Sequence, residues 1–246
     1  MTKRDFTSHR LYVPDDLKAG AELLASHEAT NYLQNVLRLG SGTKLLVFNG
    51  RDGEWYARLM AKSRRELRFE ILAQSRLQTA KGDLHYAFAP VKHARLDFMT
   101  QKAVEMGVSR LTPIITRHTQ VLRVNIERMR RNVIEAAEQC GILAVPDVDE
   151  PAAFTRWLAT VPAGRAIVFC DEEADTSDPL RTMAATPPAP LTLLVGAEGG
   201  FDEEERRALL ARERVIRLSL GPRILRADTA AIAALAILQA TRGDWR

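Results

Sequence analysis

The sequence has little cysteine and no apolar run long enough to span a membrane. Its 246 residues include two cysteines, Cys140 and Cys170, which do not form a C-x-x-C pair. So little cysteine is typical of a reducing compartment and argues against a disulfide framework. No stretch of about 18 apolar residues appears, and the first residues lack the apolar core of a secretory signal. We therefore expect a cytoplasmic protein without a membrane partner.

Common motifs of nucleotide and nucleophile chemistry are also missing. The chain contains no dinucleotide-binding G-x-G-x-x-G loop, no phosphate-binding G-x-x-x-x-G-K-[ST] loop and no G-x-S-x-G nucleophile elbow. The five histidines are scattered, so we expect no metal site. These absences argue against the common hydrolytic and redox enzymes.

The net charge is weakly informative. The formal charge is +4 and the sequence pI is about 9.3. A basic excess of this size fits a polyanionic partner, and a solvated basic surface explains it equally well.

Residues 1–72 are predicted to form a small unit rich in strands. Ser26 is predicted to cap a helix that continues through Leu37. Strands at Lys44–Phe48 and Trp55–Met60 flank the sequence N-G-R-D-G, which predicts a hairpin turn.

Residues 73–83 lose this periodicity and are predicted to be a linker. Strands and helices then alternate over residues 84–246. Apolar runs such as Ala166–Cys170 and Leu191–Val195 are expected of buried parallel strands. Asp202 and Glu205 have the spacing of a capping box at a helix start. The alternation predicts an α/β domain with a mostly parallel sheet.

The last predicted helix, from Asp228 to Thr241, is apolar nearly all round. Such a helix is buried on most of its sides. Burial inside its own domain and burial in a subunit interface both explain the composition. We favour the interface slightly, because small residues also permit close helix approach.

Two glycine-bearing loops follow two strands that we predict to be adjacent. They are Val195–Phe201 and Leu220–Arg226. Ligands gather at the carboxyl ends of strands in open α/β sheets, and glycine lets the backbone approach a ligand closely. The pattern favours a small-molecule site, although glycines that only make tight turns explain an isolated G-x-x-G-G about equally well.

These loops resemble motifs of a known family. Residues 193–201 (LLVGAEGGF) resemble the G-P-E-G-G-[FL] motif of the bacterial 16S ribosomal RNA (uracil-N3)-methyltransferases, a branch of the SPOUT superfamily. Residues 218–230 (LSLGPRILRADTA) resemble that family's L-G-x-R-[IV]-L-R-x-[ED]-T-A motif. Residues 36–38, 101–108 and 135–140 are similar to its V-L-R, Q-K-x-x-E-L-G-V and E-A-x-E-Q-[SC] motifs, so the likeness spans the chain. Ala197 departs from the motif's proline, and His118 stands where arginine is frequent.

The resemblance implies an α/β fold with two domains. A PUA-like β-barrel that binds RNA would cover residues 1–72, and a trefoil-knotted SPOUT methyltransferase domain residues 84–246. The cofactor implied is S-adenosylmethionine, in a site completed by a homodimer, with Phe169–Glu172 as a third wall. The residues implied to bind the cofactor are Leu194, Gly196, Glu198, Gly199, Gly200, Phe201, Leu218, Leu220, Gly221, Ile224, Leu225 and Arg226.

Methylation of uridine N3 requires loss of an imide proton whose pKa lies well above neutrality. Positioned cations and helix N-termini stabilise the developing negative charge, a role that suits Arg226 just before the last helix. Glu198 and Asp228 are candidates to accept the proton or to orient the cofactor amine. An ion pair with Asp228, or a phosphate contact, is the commoner role for an arginine such as Arg226.

Basic residues at positions where the family is basic are the candidates for RNA contacts. They are His9, Arg10, Arg38, Lys92 and Arg95. The function predicted is S-adenosylmethionine-dependent methylation of N3 of a uridine in 16S ribosomal RNA, either as RNA or within an assembling 30S subunit. Two alternatives stay open: another SPOUT RNA methyltransferase, acting on ribose 2′-O or on tRNA, and a non-catalytic RNA-binding assembly factor. The intact loops disfavour the second.

Overall fold

The computed structural model describes residues 7–63, 66–174 and 178–245. The chain divides into two compact units. The first comprises Met1–Ala80 with Ala137–Val145, and the second Lys81–Ala136 with Pro146–Arg246. Within the described ranges, every helix is too short or too polar to cross a membrane.

The first unit is built on a mixed five-stranded sheet in the order β1-β3-β4-β5-β2. Its elements are β1 Arg10–Tyr12, β2 Glu22–Leu24, α1 His27–Asn31, β3 Lys44–Phe48, β4 Glu54–Ala61 and β5 Leu67–Arg76. β1 and β3 pair in parallel and the other neighbours pair antiparallel. Among the described residues no pairing joins β1 to β2, so the barrel expected from the resemblance is seen here as an open sheet.

The predicted start of the first helix is confirmed, but its second half differs. The Ser26 hydroxyl accepts a hydrogen bond from the Ala29 N–H at 3.0 Å. After α1 the chain continues as a π-helical turn over Tyr32–Val36. Arg38 then adopts a left-handed backbone with φ of 55°, a position that usually favours glycine. A π-helical turn is rare and follows from no local sequence pattern, which is why the prediction missed it.

The predicted hairpin is also present, and Asn49 organises its turn. The Asn49 side-chain oxygen accepts hydrogen bonds from the backbone N–H groups of Arg51 and Asp52, at 2.9 and 2.8 Å. Gly53 follows with φ of 80°, and a Cβ there would lie 2.3 Å from the Arg76 carbonyl. Only glycine fits at this close approach.

The linker predicted over residues 73–83 is wrong at its start. β5 continues to Arg76, and Arg76 is paired with Glu54 on β4. The reason is an ion pair: Arg76 donates to both carboxylate oxygens of Glu54, at 2.7 and 2.8 Å. Sequence periodicity cannot show such a contact between residues 22 positions apart.

Arg10, predicted to bind RNA, belongs to the same buried cluster. Its Nε donates to Glu54 at 2.6 Å and its Nη1 donates to the Glu138 carbonyl at 3.3 Å. The side chain of Arg10 is 8% exposed and that of Glu54 is 1% exposed. The prediction is corrected, because Arg10 is used to neutralise a buried carboxylate and is not presented to a phosphate.

The second unit carries the parallel α/β architecture predicted for it. Its elements are β6 Leu84–Phe88, α2 His93–Glu105, β7 Arg110–Ile115, α3 Ile126–Cys140, β8 Asp147–Val148, β9 Ala152–Ala153, α4 Phe154–Thr160, β10 Ala166–Cys170, α5 Pro179–Ala185, β11 Leu191–Val195, α6 Glu203–Leu210, β12 Val215–Leu218 and α7 Ala227–Arg242. The last residues of α3 belong to the first unit. The capping box of Asp202 and Glu205 is confirmed at the start of α6. The sequence prediction missed β8, β9, α4 and α5, which are too short to show a clear period.

The sheet of the second unit has the order β12-β10-β11-β6-β7-β8, with β9 also pairing to β7, and all its pairs are parallel. The prediction that the strands before the two glycine loops are adjacent is wrong, because β10 lies between β11 and β12. The segments that follow three neighbouring strands therefore emerge at one edge of the sheet. This edge positions the candidate site.

The apolar helix α7 packs against α2, α5 and β11 within its own unit. Ala231, Ala234, Leu235 and Leu238 are at most 1% exposed. Packing inside the domain therefore accounts for much of the helix's composition. A subunit interface on its remaining surface stays a prediction.

Removing the charge of Glu54 is expected to destabilise the first unit strongly. In Glu54→Gln two arginines lose their carboxylate while they remain largely buried, and breaking a buried pair in this way costs about 3–5 kcal/mol. The control is Glu70→Gln in the same sheet. Glu70 pairs with Arg58 at 2.9 Å with both side chains about a third or more exposed, so the cost should be about 0–1 kcal/mol. Urea denaturation measures both, and equal losses would contradict the role of the buried cluster.

The same variant should alter the pH dependence of stability. Burial raises the pKa of Glu54, but hydrogen bonds from Arg76 and Arg10 lower it more, so the pKa is lowered overall. The Glu54 contribution is therefore fully present above the unfolded-state pKa of about 4.3. It is lost as the pH falls through the lower folded-state pKa, and Glu54→Gln should lack this decline.

Candidate functional site

A cavity of about 320 Å³ opens where β10, β11 and β12 end. Three segments form its walls: 169–173 after β10, 195–201 after β11, and 218–225 after β12, closed by the first turns of α7. Carboxyl ends of neighbouring parallel strands are where open α/β sheets bind ligands. The predicted third wall therefore lies between the two glycine loops.

The first loop is held by close contacts at its glycines. A Cβ on Gly196 would lie 2.6 Å from the Phe201 ring, and a Cβ on Gly199 would lie 3.2 Å from the Cβ of His118. Phe201 packs against Phe154 and Phe169, with ring centroids 5.3 Å apart in both pairs. His118 Nδ1 lies 2.8 Å from the Gly199 carbonyl. The loop is thus fixed from both sides with its backbone lining the cavity.

The second loop carries both apolar side chains and arginines and ends at a helix N-terminus. Leu218 is fully buried, and Gly221 adopts φ of 99°. Ile224 is 89% exposed at the rim, an exposure that is unusual for a large apolar side chain and marks a surface available for contact. Arg226 is the N-cap residue of α7.

The third wall contains a fully paired carboxylate. The Asp171 side chain is 1% exposed. It accepts two hydrogen bonds from Arg206, at 2.8 and 2.9 Å, and one from Arg217 at 2.5 Å. Burial raises the pKa of Asp171, but these hydrogen bonds lower it by more than burial raises it. The pKa is therefore lowered overall and the group stays ionised at neutral pH. Asp171 therefore fixes the position of the wall and, with its lowered pKa, is a poor proton acceptor.

Cys170, the last residue of β10, lines the same cavity. Burial, with a further contribution from Asp171, raises the pKa of its thiol to about 12. Because the thiolate is the nucleophilic form, a raised pKa leaves little of that form at neutral pH.

Arg95 on α2 joins the two glycine-bearing loops. It donates to both oxygens of Asp228, at 3.0 and 2.9 Å, and its Nη1 donates to Glu198 Oε1. The side chains of Arg95, Asp228 and Glu198 are 29%, 17% and 49% exposed. The hydrogen bonds from Arg95 lower the pKa of Asp228.

The structure places most of the predicted site residues at the cavity and some elsewhere. Those that line it are Gly196, Glu198, Gly199, Gly200, Phe201, Leu218, Leu220, Gly221, Ile224 and Leu225. Leu194 does not, since it is fully buried in the apolar core. Arg226 is exposed beside the cavity, and within the described part of the chain no side-chain partner holds it. The ion pair of Arg226 with Asp228 that the sequence allowed is not formed, because Asp228 is bound to Arg95.

The five residues predicted to contact RNA fall into an exposed group and a group bound to carboxylates. His9, Arg38 and Lys92 are exposed. Arg10 and Arg95 are held by carboxylates. The sequence analysis also missed Arg206 and Arg217 as partners of Asp171. Arg206 is on α6 and Arg217 is on β12, and no local sequence pattern relates either arginine to an aspartate more than 30 residues away.

Comparisons with known proteins agree with this arrangement. The model of the RNA methyltransferase domain family matches residues 78–239, and that of the RNA methyltransferase PUA domain matches residues 26–72. The ribosomal RNA small subunit methyltransferase E of Rickettsia conorii is 32% identical over 230 residues, covering 93% of each chain. The protein of that name from Bacillus subtilis is 26% identical and covers 88% of this chain and 91% of its own.

Solved structures show the same fold. The ribosomal RNA small subunit methyltransferase E of Neisseria gonorrhoeae, bound to S-adenosyl methionine, superposes with a TM-score of 0.87 at 26% identity. The match covers 97% of this chain and all of the other. A Legionella pneumophila protein solved with its bound cofactor SAM gives 0.83 at 30% identity, covering 95% of this chain and 97% of the other.

A parallel α/β domain with a strand-end cavity, together with a PUA-type domain, defines the chain as an RNA methyltransferase by class. Within that class, it belongs to the family of ribosomal RNA small subunit methyltransferase E.

Proposed function

We propose that the protein transfers the methyl group of S-adenosylmethionine to N3 of a uridine in 16S ribosomal RNA of the small subunit, acting in the cytoplasm. The observation that carries the proposal is the cavity at the ends of β10, β11 and β12 in a member of this family. The two solved relatives described above hold S-adenosylmethionine.

The cavity suits this cofactor by its chemistry. S-adenosylmethionine carries two positive groups, an ammonium and a sulfonium, beside a flat adenine ring. The cavity is lined by Asp171, Glu172, Glu173 and Glu198 together with Arg206 and Arg223, so acidic side chains outnumber basic ones and complement those charges. Leu218 and Leu220 give it an apolar face, and the glycine loops leave room for backbone contacts. A volume of about 320 Å³ is at the lower end of the range for small-molecule sites.

The reaction needs negative charge to develop on the uracil ring while a methyl group is attacked. S-adenosylmethionine supplies an electrophilic methyl on its sulfonium when bound. We assign to Arg226 the stabilisation of the charge that develops at N3, and its exposure at the N-terminus of α7, between the lining residues Leu225 and Ala227, supports this role. A guanidinium and a helix N-terminus act in the same direction there.

A homodimer and a trefoil knot also belong to the proposal. Both follow from the family resemblance. The exposure of Ile224 at the rim of the cavity supports the proposal that a partner subunit covers this loop.

Methylation of 16S RNA and of 30S subunits with labelled cofactor tests the function. The expected product after digestion to nucleosides is 3-methyluridine. Gly196→Ala should lower incorporation, because the new Cβ meets the Phe201 ring at 2.6 Å. Gly164→Ala is the matched control, since a Cβ there has no neighbour within 4 Å. Label on ribose or only in tRNA would overturn the substrate, and a protein that binds no cofactor would be a non-catalytic assembly factor.

Replacing Arg226 should reduce turnover more than binding. Loss of one group that stabilises developing charge typically lowers kcat by about 10²–10³. We expect Arg226→Ala to show this at saturating cofactor, with partial recovery in Arg226→Lys. Arg156→Ala, an exposed arginine on α4, is the control. Unchanged turnover combined with weaker RNA binding would assign Arg226 to a phosphate contact instead.

Arg38 provides a test that separates binding from folding. Its left-handed backbone costs about 1–2 kcal/mol for a residue with a Cβ, so Arg38→Gly should leave stability unchanged or raise it by up to about 1 kcal/mol. If Arg38 contacts a phosphate, the same variant should weaken RNA binding and reduce the salt dependence by about one ion. Arg38→Lys should keep both the RNA affinity and the salt dependence of the unmodified protein. A variant that loses stability and binds RNA normally would contradict the role.

A further inference from the structure

One charged group beside the cavity lies outside both loop motifs. Arg95 is in the first turn of α2, yet its three hydrogen bonds end on Glu198 in the first loop and on Asp228 just after the second. The two carboxylates belong to segments that follow different strands, β11 and β12. One guanidinium therefore connects the first glycine-bearing loop to the first turn of α7, which follows directly on the second loop.

We propose that Arg95 is a positioning residue that holds the two loops together for cofactor binding, with Glu198 and Asp228 as its anchors. It follows that these carboxylates are not the acceptors of the N3 proton and that Arg95 is not an RNA contact. The inference rests on the proposed function.

The geometry of the pair with Asp228 is that of a rigid connection. Nε and Nη2 of Arg95 bind one oxygen each of the Asp228 carboxylate. Such paired, charge-assisted bonds fix direction as well as distance, which a lysine cannot reproduce. Asp228 Oδ1 also accepts from the Thr229 N–H at 3.0 Å. Its position in the first turn of α7 adds a favourable interaction with the helix N-terminus.

The charge of the cluster argues against a phosphate contact. One guanidinium between two carboxylates leaves a net negative charge, which repels RNA phosphates and attracts a cationic cofactor. Three of the five N–H groups of Arg95 are already used by carboxylates. The predicted role of Arg95 in RNA binding is therefore replaced by one at the cofactor loops.

Arg128 offers a matched control. It forms the same kind of two-bond pair with Asp97, on another part of α2, through Nε at 3.1 Å and Nη2 at 2.5 Å. Neither Arg128 nor Asp97 lines the cavity. Substitutions at Arg128 thus remove an ion pair of the same two-bond kind, although a more exposed one, without touching the loops.

The experiment compares Arg95→Met and Arg95→Lys with Arg128→Met and Arg128→Lys. Amide hydrogen exchange of the protein without cofactor is measured first. Arg95→Met should speed exchange in residues 196–201 and 226–230 together, and Arg128→Met should not. Calorimetry should then show a Kd for S-adenosylmethionine about 10- to 100-fold higher in Arg95→Met, with a smaller rise in Arg95→Lys, and a change under about threefold in RNA affinity.

Coupling and turnover complete the test. If Arg95 acts through Asp228, the double variant Arg95→Met/Asp228→Asn should bind cofactor no more weakly than the worse single variant. At saturating cofactor, Asp228→Asn and Glu198→Gln should keep kcat within about tenfold, whereas loss of a general base costs about 10²–10⁴.

Several results would overturn the inference. They are unchanged exchange and cofactor Kd in Arg95→Met, a loss of RNA affinity as its only effect, or a large fall in kcat in either carboxylate variant. Failure of the unmodified protein to bind S-adenosylmethionine would instead reject the proposed function. The exchange measurement on the cofactor-free protein would still decide whether Arg95 holds the loops.

Discussion

The parallel hydrogen bonding of β11, β10 and β12 is the constraint on which the site depends. Ala166–Phe169 of β10 pairs with Leu191–Leu194, and Ile167–Cys170 pairs with Val215–Leu218. Because the three strands run in one direction and end nearly level, the chain after each of them opens at the same edge. The cavity is the space between the three segments that follow these strands. A shift in the register of β10 would move its wall away from both glycine loops.

Ion pairs then fix the positions of the segments that follow these strands. Asp171 at the end of β10 is bound by Arg206 and Arg217, and Asp228 at the start of α7 is bound by Arg95. Paired charges that are largely buried add little net stability over apolar contacts, but removing one partner leaves the other uncompensated. They therefore specify geometry more than they stabilise the fold. The same physics operates in the first unit, where Glu54 determines how far β5 extends.

The sequence predicted what local chemistry decides and failed where distant residues decide. Lys44–Phe48, Ala166–Cys170 and Leu191–Val195 are strands within the predicted limits, because each consists almost entirely of apolar residues. Most of the glycine-loop residues lie at the cavity as expected. The position of β10 between β11 and β12 was missed, because strand order is set by packing of the whole sheet. Arg95 was missed as an ion-pair partner because Asp228 and Glu198 lie 133 and 103 residues away.

The distribution of charge around the cavity also bears on how uridine N3 loses its proton. Transfer from an imide with a pKa well above neutrality to a carboxylate of ordinary pKa, about 3.9, is uphill by more than about 4 kcal/mol. Pairing with Arg95 lowers the pKa of Asp228 and so makes this transfer still less favourable. A cation beside N3 has the opposite effect, since it lowers the pKa of the imide itself. Arg226 is exposed beside the cavity, while both carboxylates are bound to Arg95. Asp228, bound to Arg95, is therefore a poorer acceptor for the N3 proton than a free aspartate would be.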